Sequence, residues 1–248
     1  MMSSNGINTG RIIGRLFLYK CKSYSQMLMS LLALQLLAII LSTVNSTSMS
    51  SVGGAGVRMH VNYYSADFVM VFTIMWGCIS AVLITTKINR EDDFLFVTNR
   101  FTSHISSVLY LFAVSVTGGV TAALSSFLVR VLSYYRESST DILGQLAAPD
   151  ISVFAMGTVS TILFVLLFTS AGYLAGIIMQ WHRFLQLLLP AAVIGFLILM
   201  GNSKWIEQLH AFFYLESSFP LFIGKTLGAF LLMSLLAVGI ANRMEVKQ

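Results

Sequence analysis

Residues 151–179, ISVFAMGTVSTILFVLLFTSAGYLAGIIM, contain no Asp, Glu, Lys or Arg. A helix needs about 20 apolar residues to cross the ~30 Å hydrocarbon core of a bilayer, so this stretch is long enough to span one. Five further apolar runs lie at 27–41, 66–86, 105–134, 184–200 and 221–241. We therefore expect an all-α membrane protein with six transmembrane helices, forming a single transmembrane domain over residues 1–248.

The composition of the chain agrees with this fold class. Of its 248 residues, 56% are hydrophobic and only 10% are charged, whereas a soluble domain usually carries about 25% charged residues. In lipid, the outer surface of a protein can be apolar. Cys21 and Cys78 form neither a CxxC motif nor a disulfide framework, so the sequence gives no support to redox chemistry. The first apolar run begins only after about 25 residues and no A-x-A-like site follows it, so we expect the first span to remain as an anchor.

The positive charges are sorted between the two sides of the predicted membrane region. With the N-terminus inside, the inner segments are 1–26, 87–104, 180–183 and 242–248. They hold ten of the fifteen Lys and Arg residues: Arg11, Arg15, Lys20, Lys22, Lys87, Arg90, Arg100, Arg183, Arg243 and Lys247. Because cytoplasmic loops are enriched in Lys and Arg, we expect both termini to be cytoplasmic. The net charge of +5 mostly reflects this asymmetry, and no basic face outside the spans favours nucleic acid as a partner.

Three segments that flank the spans are predicted from their composition. Residues 8–26 are predicted to form an amphipathic helix on the inner membrane surface, with a plain charged leader as the alternative. Its apolar side holds Ile12, Ile13, Leu16, Phe17 and Tyr24, and its polar side holds Arg11, Arg15 and Lys22. Residues 44–65 are rich in Ser, Thr and Gly and are expected to be a flexible external loop. Residues 202–219 are too apolar for a free loop, so we expect short helices that re-enter the outer interface.

The segment 87–104, KINREDDFLFVTNRFTSH, is the most informative predicted loop. It combines an acidic triplet with flanking cations and central aromatic side chains. A short helix of this kind suits docking into a groove of another protein, because aromatic anchors with a polar rim are typical of such contacts. The alternative is a solvated loop whose aromatic side chains rest on lipid. The candidate docking residues are Arg90, Glu91, Asp92, Asp93, Phe94, Phe96 and Arg100.

Residue patterns typical of catalytic, metal and nucleotide sites are weak or missing in the sequence. Gly224-Lys225-Thr226 imitates the end of a phosphate-binding loop, but the full pattern needs a glycine at position 219, which is Phe. The four histidines lie apart and form no H-E-x-x-H pair, and no G-x-S-x-G is present. We therefore expect no enzyme activity, no metal and no cofactor. The near absence of carboxylates within the spans also argues against an ion-coupled carrier.

Small residues recur at four-residue spacing within the spans. Two GxxxG pairs occur: Gly172 with Gly176, and Gly224 with Gly228. Such pairs let helices approach closely, either within one bundle or between two copies of the chain, and the sequence leaves both possibilities open. Two cations near the predicted outer side, Arg130 and Lys225, either line a polar path or extend to the lipid headgroups.

This layout resembles that of type-2 ABC transporter permeases. Members of that family have six spans with both ends inside, an amphipathic helix before the first span, a cytoplasmic coupling helix between the second and third spans, and short re-entrant helices between the fifth and sixth. The corresponding segments here are 8–26, 88–103 and 202–219. The resemblance covers the whole chain and rests on this architecture, since the family has no sharp sequence signature.

The resemblance implies that residues 90–100 contact a separate ATP-binding cassette ATPase subunit and that a second permease copy or paralogue completes the assembly. ATP-driven closure of the ATPase subunits would then tilt the helix bundles of the permeases. This movement would carry a peptide, drug-like or lipid-like substrate outward across a bacterial plasma membrane. Small permeases of this kind often serve peptide export, which favours a peptide slightly. Two alternatives remain at this point. The chain could be a substrate-binding membrane subunit of a vitamin-type importer, or a membrane scaffold or sensor.

Overall fold

The computed structural model describes residues 9–44, 47–52, 58–63, 65–86, 100–136, 150–181 and 218–244. Within these ranges the chain is built mainly of helices: α1 Thr9–Ser23, α2 Ser25–Val44, α3 Asp67–Ile84, α4 Arg100–Arg136, α5 Ile151–Trp181 and α6 Phe219–Met244. Two strands, β1 Thr47–Val52 and β2 Arg58–Tyr63, lie between α2 and α3.

Five of the described helices, α2 to α6, are long and apolar enough to cross a membrane. Their outward surfaces carry large apolar side chains, such as Leu36 with 61% and Leu235 with 69% of its surface exposed. An exposed apolar surface of this extent is stable in lipid and unfavourable in water. The structure therefore has the helices and the apolar outer surface of a membrane-embedded helical protein. The predicted span at 184–200 lies outside the described residues.

The helix bounds follow the apolar runs, with one clear extension. The run at 105–134 predicts the third span, but α4 begins five residues earlier, at Arg100, and ends at Arg136. Residues 100–104, predicted as the end of a loop, are therefore the first residues of a helix. With 37 residues at 1.5 Å per residue, α4 is about 55 Å long, so it must tilt or project beyond a ~30 Å core.

The structure differs from the sequence-based expectation between α2 and α3. There β1 and β2 pair antiparallel, from Thr47 opposite Tyr63 to Val52 opposite Arg58, where composition predicts a flexible loop. Strand pairing satisfies the backbone N–H and C=O groups of both segments. The Ser, Thr and Gly content of 44–65 dominates the prediction, although Val52, Val61 and Tyr63 are residue types that favour strands.

Cross-helix contacts fix the directions of the helices. Along α2 and α3, Ser30 Oγ accepts from Trp76 Nε1 at 2.9 Å and Gln35 Nε2 donates to Thr73 Oγ1 at 3.1 Å, so these helices run antiparallel. The helices α4 and α5 are also antiparallel, because Ser115 contacts Thr169 and Phe127 contacts Phe154. One end of the bundle therefore holds α1, the starts of α2 and α4 and the ends of α3 and α5. We call it the α1 end and the opposite one the hairpin end.

The last helix, α6, packs on α5 and runs parallel to it. The rings of Phe164 and Phe222 are 5.4 Å apart, and further along both helices Ser170 Oγ lies 3.5 Å from Met233 Sδ. The main buried cluster continues this pairing toward the α1 end, where it includes Tyr173 and Ala241. The helices α5 and α6 thus point in the same direction, although they are consecutive among the described helices.

Candidate functional site

The predicted docking residues from Arg90 to Phe96 lie outside the described residues, and Arg100 is the first residue of α4. The structure does describe the framework on both sides of this segment. On one side α3 ends at Ile84, and on the other α4 starts at Arg100, both at the α1 end of the bundle. The candidate functional site is therefore the junction that holds these two helix ends.

The end of α3 is attached to α5. The side-chain amide of Gln180, near the end of α5, donates a hydrogen bond to the backbone carbonyl of Thr85, directly after the last residue of α3. Carbonyls in the last turn of a helix lack an intrahelical partner, and a side chain from a neighbouring helix can satisfy one of them. The amide of Gln180 thus fixes the point at which the chain leaves α3 for the 87–99 segment.

The start of α4 is attached to the same helix. His104 Nδ1 and the hydroxyl of Tyr173 are 2.8 Å apart, and their rings meet edge to face with centroids 6.5 Å apart. The tautomer of the imidazole decides which group donates. Both described flanks of the 87–99 segment are therefore bonded to α5, one through Gln180 and the other through Tyr173.

A buried lysine connects α1 to the first turns of α4. Lys20 has only 1% of its surface exposed. Its Nζ donates to Ser107 Oγ at 2.6 Å and to the carbonyl of Ser103 at 3.3 Å. Ser107 Oγ in turn donates to the same carbonyl at 3.1 Å. Burying an ammonium group is costly unless it is hydrogen-bonded, so this network holds α1 at a defined position on α4.

The other contacts of α1 follow its amphipathic pattern. Leu16 and Tyr24, predicted on the apolar side, are buried, and the ring of Tyr24 lies 5.4 Å from that of Tyr110 in α4. The predicted polar side is exposed and holds Arg11, Arg15 and Lys22. Burial raises the pKa of the Cys21 thiol, which lowers its thiolate fraction at neutral pH. Lys20 lies four residues after Leu16 and four before Tyr24, a spacing that places it on the buried face.

A second polar contact ties three helices together nearer the centre of the bundle. Gln35 of α2 has 3% of its surface exposed, and its Nε2 donates to Thr73 Oγ1 of α3 and, at 3.3 Å, to the carbonyl of Gly118 of α4. Interhelical hydrogen bonds of this kind stabilise membrane bundles. This contact fixes α2 against α3 and α4, so these three helices share one rigid attachment.

The two GxxxG pairs lie in different surroundings. A Cβ added at Gly172 would lie 2.5 Å from the carbonyl oxygen of Cys78, and one added at Gly176 would meet Thr85 and Val82, so this pair packs α5 directly on α3. For Gly224 and Gly228, an added Cβ would meet nothing within 4 Å in the part of the chain that the structure describes. The same spacing thus serves close packing in α5 and faces open space in α6.

The tripeptide Gly224-Lys225-Thr226, which imitates the end of a phosphate-binding loop, lies inside a helix. Residues 224–226 belong to α6, which begins at Phe219. Thr226 is buried, and its hydroxyl donates to the carbonyls of Phe222 and Ile223 at 2.9 and 3.0 Å. A phosphate-binding loop needs these residues in a glycine-rich turn before a helix. The arrangement here is that of an ordinary helical turn.

A crevice of about 350 Å³ opens at the hairpin end between α3, α4 and α5. Both a carboxylate, Asp67, and a guanidinium, Arg130, line it, together with four residues that carry hydroxyl groups: Ser65, Ser126, Thr158 and Thr161. Lys225 is not among its lining residues. Across the described ranges, no group of three or more His, Cys, Asp and Glu side chains is placed to hold a metal ion.

No protein-family model, curated protein or solved structure matches this chain.

Proposed function

We propose that the chain is the membrane-spanning permease subunit of an ATP-driven exporter. A separate ATP-binding cassette ATPase binds the 87–104 segment, and a second permease copy or paralogue completes the translocation path. The substrate is a peptide, drug-like or lipid-like molecule that moves outward across a bacterial plasma membrane. In this proposal the chain itself is not catalytic, and ATP hydrolysis takes place on the partner.

One observation carries this proposal. Both described flanks of the 87–99 segment are hydrogen-bonded to α5, through Gln180 and Tyr173, and the first turns of α4 are hydrogen-bonded to α1 through Lys20. A force applied to that segment would therefore reach α1, α3, α4 and α5 together, because none of these helix ends can move without breaking a contact at the junction. This is the mechanical property that a coupling segment requires.

The direction of α6 supports the proposed six-span topology with both termini cytoplasmic. The proposed topology requires α5 and α6 to run parallel, with one crossing between Trp181 and Phe219, and the two helices do run parallel. Residues 184–200 are the apolar run in that interval, and one crossing there gives six spans. The α1 end then holds the Lys- and Arg-rich segments, as a cytoplasmic side does.

The remaining segments complete the proposed layout. The exposed cations of α1, Arg11, Arg15 and Lys22, would meet anionic headgroups if α1 lies on the inner membrane surface. Residues 202–219 would re-enter the outer interface before α6. Of this segment, only residues 218 and 219 are described, and α6 begins at Phe219.

A second candidate function is a substrate-binding membrane subunit of a vitamin-type importer. The crevice lined by Asp67 and Arg130 favours it, because such a subunit needs convergent polar groups near the outer face. The two candidates differ in the role of the 87–104 segment. The permease needs this segment for ATPase binding, whereas the importer subunit needs the crevice for its ligand.

Affinity purification of the tagged chain from its host tests the permease proposal. The wild-type chain is expected to retain an ATP-hydrolysing partner, whereas a variant with residues 90–96 replaced by Gly and Ser loses most of it, about tenfold or more, since the aromatic anchors carry such contacts. A matched control replaces an equally long stretch, 139–145, on the predicted outer side and retains the ATPase. Equal ATPase recovery with the 90–96 variant, or no ATPase with the wild type, contradicts the proposal.

A further inference from the structure

We propose that the crevice at the hairpin end binds the headgroup of a zwitterionic phospholipid that carries a primary ammonium, such as phosphatidylethanolamine. This inference goes beyond the permease function and does not depend on it. It needs only the membrane-embedded bundle and the crevice, whichever side of the membrane the hairpin end faces.

Two side chains of opposite charge line the crevice. Asp67 and Arg130 line the same cavity, yet they form no ion pair with each other or with any other side chain in the described ranges. Both side chains are exposed at the crevice. A carboxylate and a guanidinium in one crevice, not paired with each other, can bind the two charges of a zwitterion, with an anion at Arg130 and a cation at Asp67.

The hydroxyls of the crevice favour a ligand that donates hydrogen bonds. Thr158 Oγ1 donates to the carbonyl of Phe154 at 2.8 Å, and Thr161 Oγ1 donates to that of Gly157 at 2.9 Å. Ser126 Oγ likewise donates to a carbonyl of its own helix, at 2.7 Å. With their protons directed to these carbonyls, the hydroxyl oxygens still have lone pairs that can accept from a ligand. With the carboxylate of Asp67 they make the lining rich in acceptors, beside the guanidinium donors of Arg130.

The position of the crevice indicates a membrane lipid as the source of this zwitterion. Asp67 is the first residue of α3, and Arg130 lies six residues before the end of α4, so both charges are within about 10 Å of a helix end at 1.5 Å per residue. With the helix ends at the membrane interface, both charges would lie among headgroups and glycerol. The lining also includes the apolar side chain of Met70, which suits the first methylenes of an acyl chain.

The charges and hydrogen-bonding groups of the crevice distinguish among common phospholipid headgroups. A phosphoethanolamine headgroup offers a phosphate for Arg130 and three N–H donors for Asp67 and the hydroxyls. A phosphocholine headgroup has the same charges but no N–H, and a phosphoglycerol headgroup has no cation. The crevice should therefore prefer ethanolamine over choline and glycerol headgroups.

The test measures binding of soluble dihexanoyl phospholipids to the purified, delipidated chain in mild detergent. We expect the ethanolamine lipid to bind about tenfold more tightly than the choline and glycerol lipids. The Asp67→Asn variant is expected to lose that preference without weaker binding of the glycerol lipid, whereas Arg130→Gln weakens binding of all three. A matched control, Asp150→Asn at an exposed position outside the crevice lining, leaves every affinity unchanged.

Both crevice substitutions are at exposed positions, and an unchanged helical circular dichroism spectrum will confirm that each variant is folded. Equal affinities for the three lipids in the wild-type chain would overturn the proposal, as would an ethanolamine preference that persists in Asp67→Asn. A neutral tripeptide that displaces the ethanolamine lipid and binds more tightly would assign the crevice to peptides and would also overturn it. None of these outcomes bears on ATPase association, so the permease proposal is tested separately.

Discussion

Replacing Gly172 by alanine is expected to lower the free energy of unfolding by about 2–3 kcal/mol. The added Cβ would lie 2.5 Å from the carbonyl oxygen of Cys78 and 3.0 Å from its Cα. Because these are backbone atoms, no change of rotamer can relieve the contact, so α3 and α5 must move apart along their interface. The same movement would displace Gly176 from Val82 and Thr85, the contact beside the end of α3.

Denaturation with sodium dodecyl sulfate in mixed micelles, followed by circular dichroism, measures this effect. The control is Gly157→Ala on the same helix, where an added Cβ would meet nothing within 4 Å in the described part of the chain. Alanine favours helix over glycine by up to about 1 kcal/mol, so this control should be neutral or stabilising. If Gly172→Ala is as stable as Gly157→Ala, the close packing of α5 on α3 is not present in the protein.

The second prediction concerns the contact between α1 and α4. A double-mutant cycle with Lys20→Met and Ser107→Ala is expected to give a coupling energy of about 1.5–3 kcal/mol, the range for a hydrogen bond to a charged group. The reason is the 2.6 Å bond from Lys20 Nζ to Ser107 Oγ, formed by a lysine with only 1% of its surface exposed. Removing Ser107 alone deprives a buried ammonium group of its nearer acceptor, which should cost more than removing both groups.

The control cycle pairs Lys22→Met with Ser107→Ala. Lys22 is on the same helix but exposed, so its coupling to Ser107 should fall within the ~0.5 kcal/mol expected of independent sites. Stability is measured in the same mixed-micelle assay. Equal coupling in the two cycles, or none in the Lys20 cycle, would contradict the assignment of Lys20 as the link between α1 and α4.

The transmembrane helices are the part of the fold that the sequence predicts well. The run at 151–179 corresponds to α5 at Ile151–Trp181, and the run at 221–241 corresponds to α6 at Phe219–Met244. The physical reason is that the bilayer imposes a minimum length and a low charge on any spanning segment, and both can be read directly from one stretch of sequence.

The contacts at the junction could not be predicted in this way, because they join residues far apart in the chain. Gln180 bonds to Thr85 and His104 to Tyr173, across 95 and 69 positions. Among the junction residues that the structure describes, only the position of Lys20 is indicated by its sequence neighbours. Its four-residue spacing from Leu16 and Tyr24 places a cation on an apolar helix face. A lysine on that face predicts a buried partner but does not identify Ser107.

The two glycine pairs also show that spacing in the sequence does not predict tertiary contacts. Gly172 with Gly176 and Gly224 with Gly228 have identical spacing, yet in the described part of the chain only the first pair meets a neighbouring helix closely. Spacing tells which residues share a face of a helix, but the neighbour on that face is set by tertiary packing. Local composition also does not predict the hairpin between α2 and α3, because its two strands are stabilised by pairing with each other.

The side of the membrane that residue 94 faces is the most direct test of the account. In a Cys21→Ser, Cys78→Ser background, single cysteines are introduced as Phe94→Cys, Lys247→Cys and Met59→Cys, and intact or permeabilised cells are treated with a membrane-impermeant maleimide. The account predicts that positions 94 and 247 are labelled only after permeabilisation and that position 59, in β2, is labelled in intact cells. Labelling of position 94 in intact cells would invert the topology and contradict a cytoplasmic ATPase acting on the 87–104 segment.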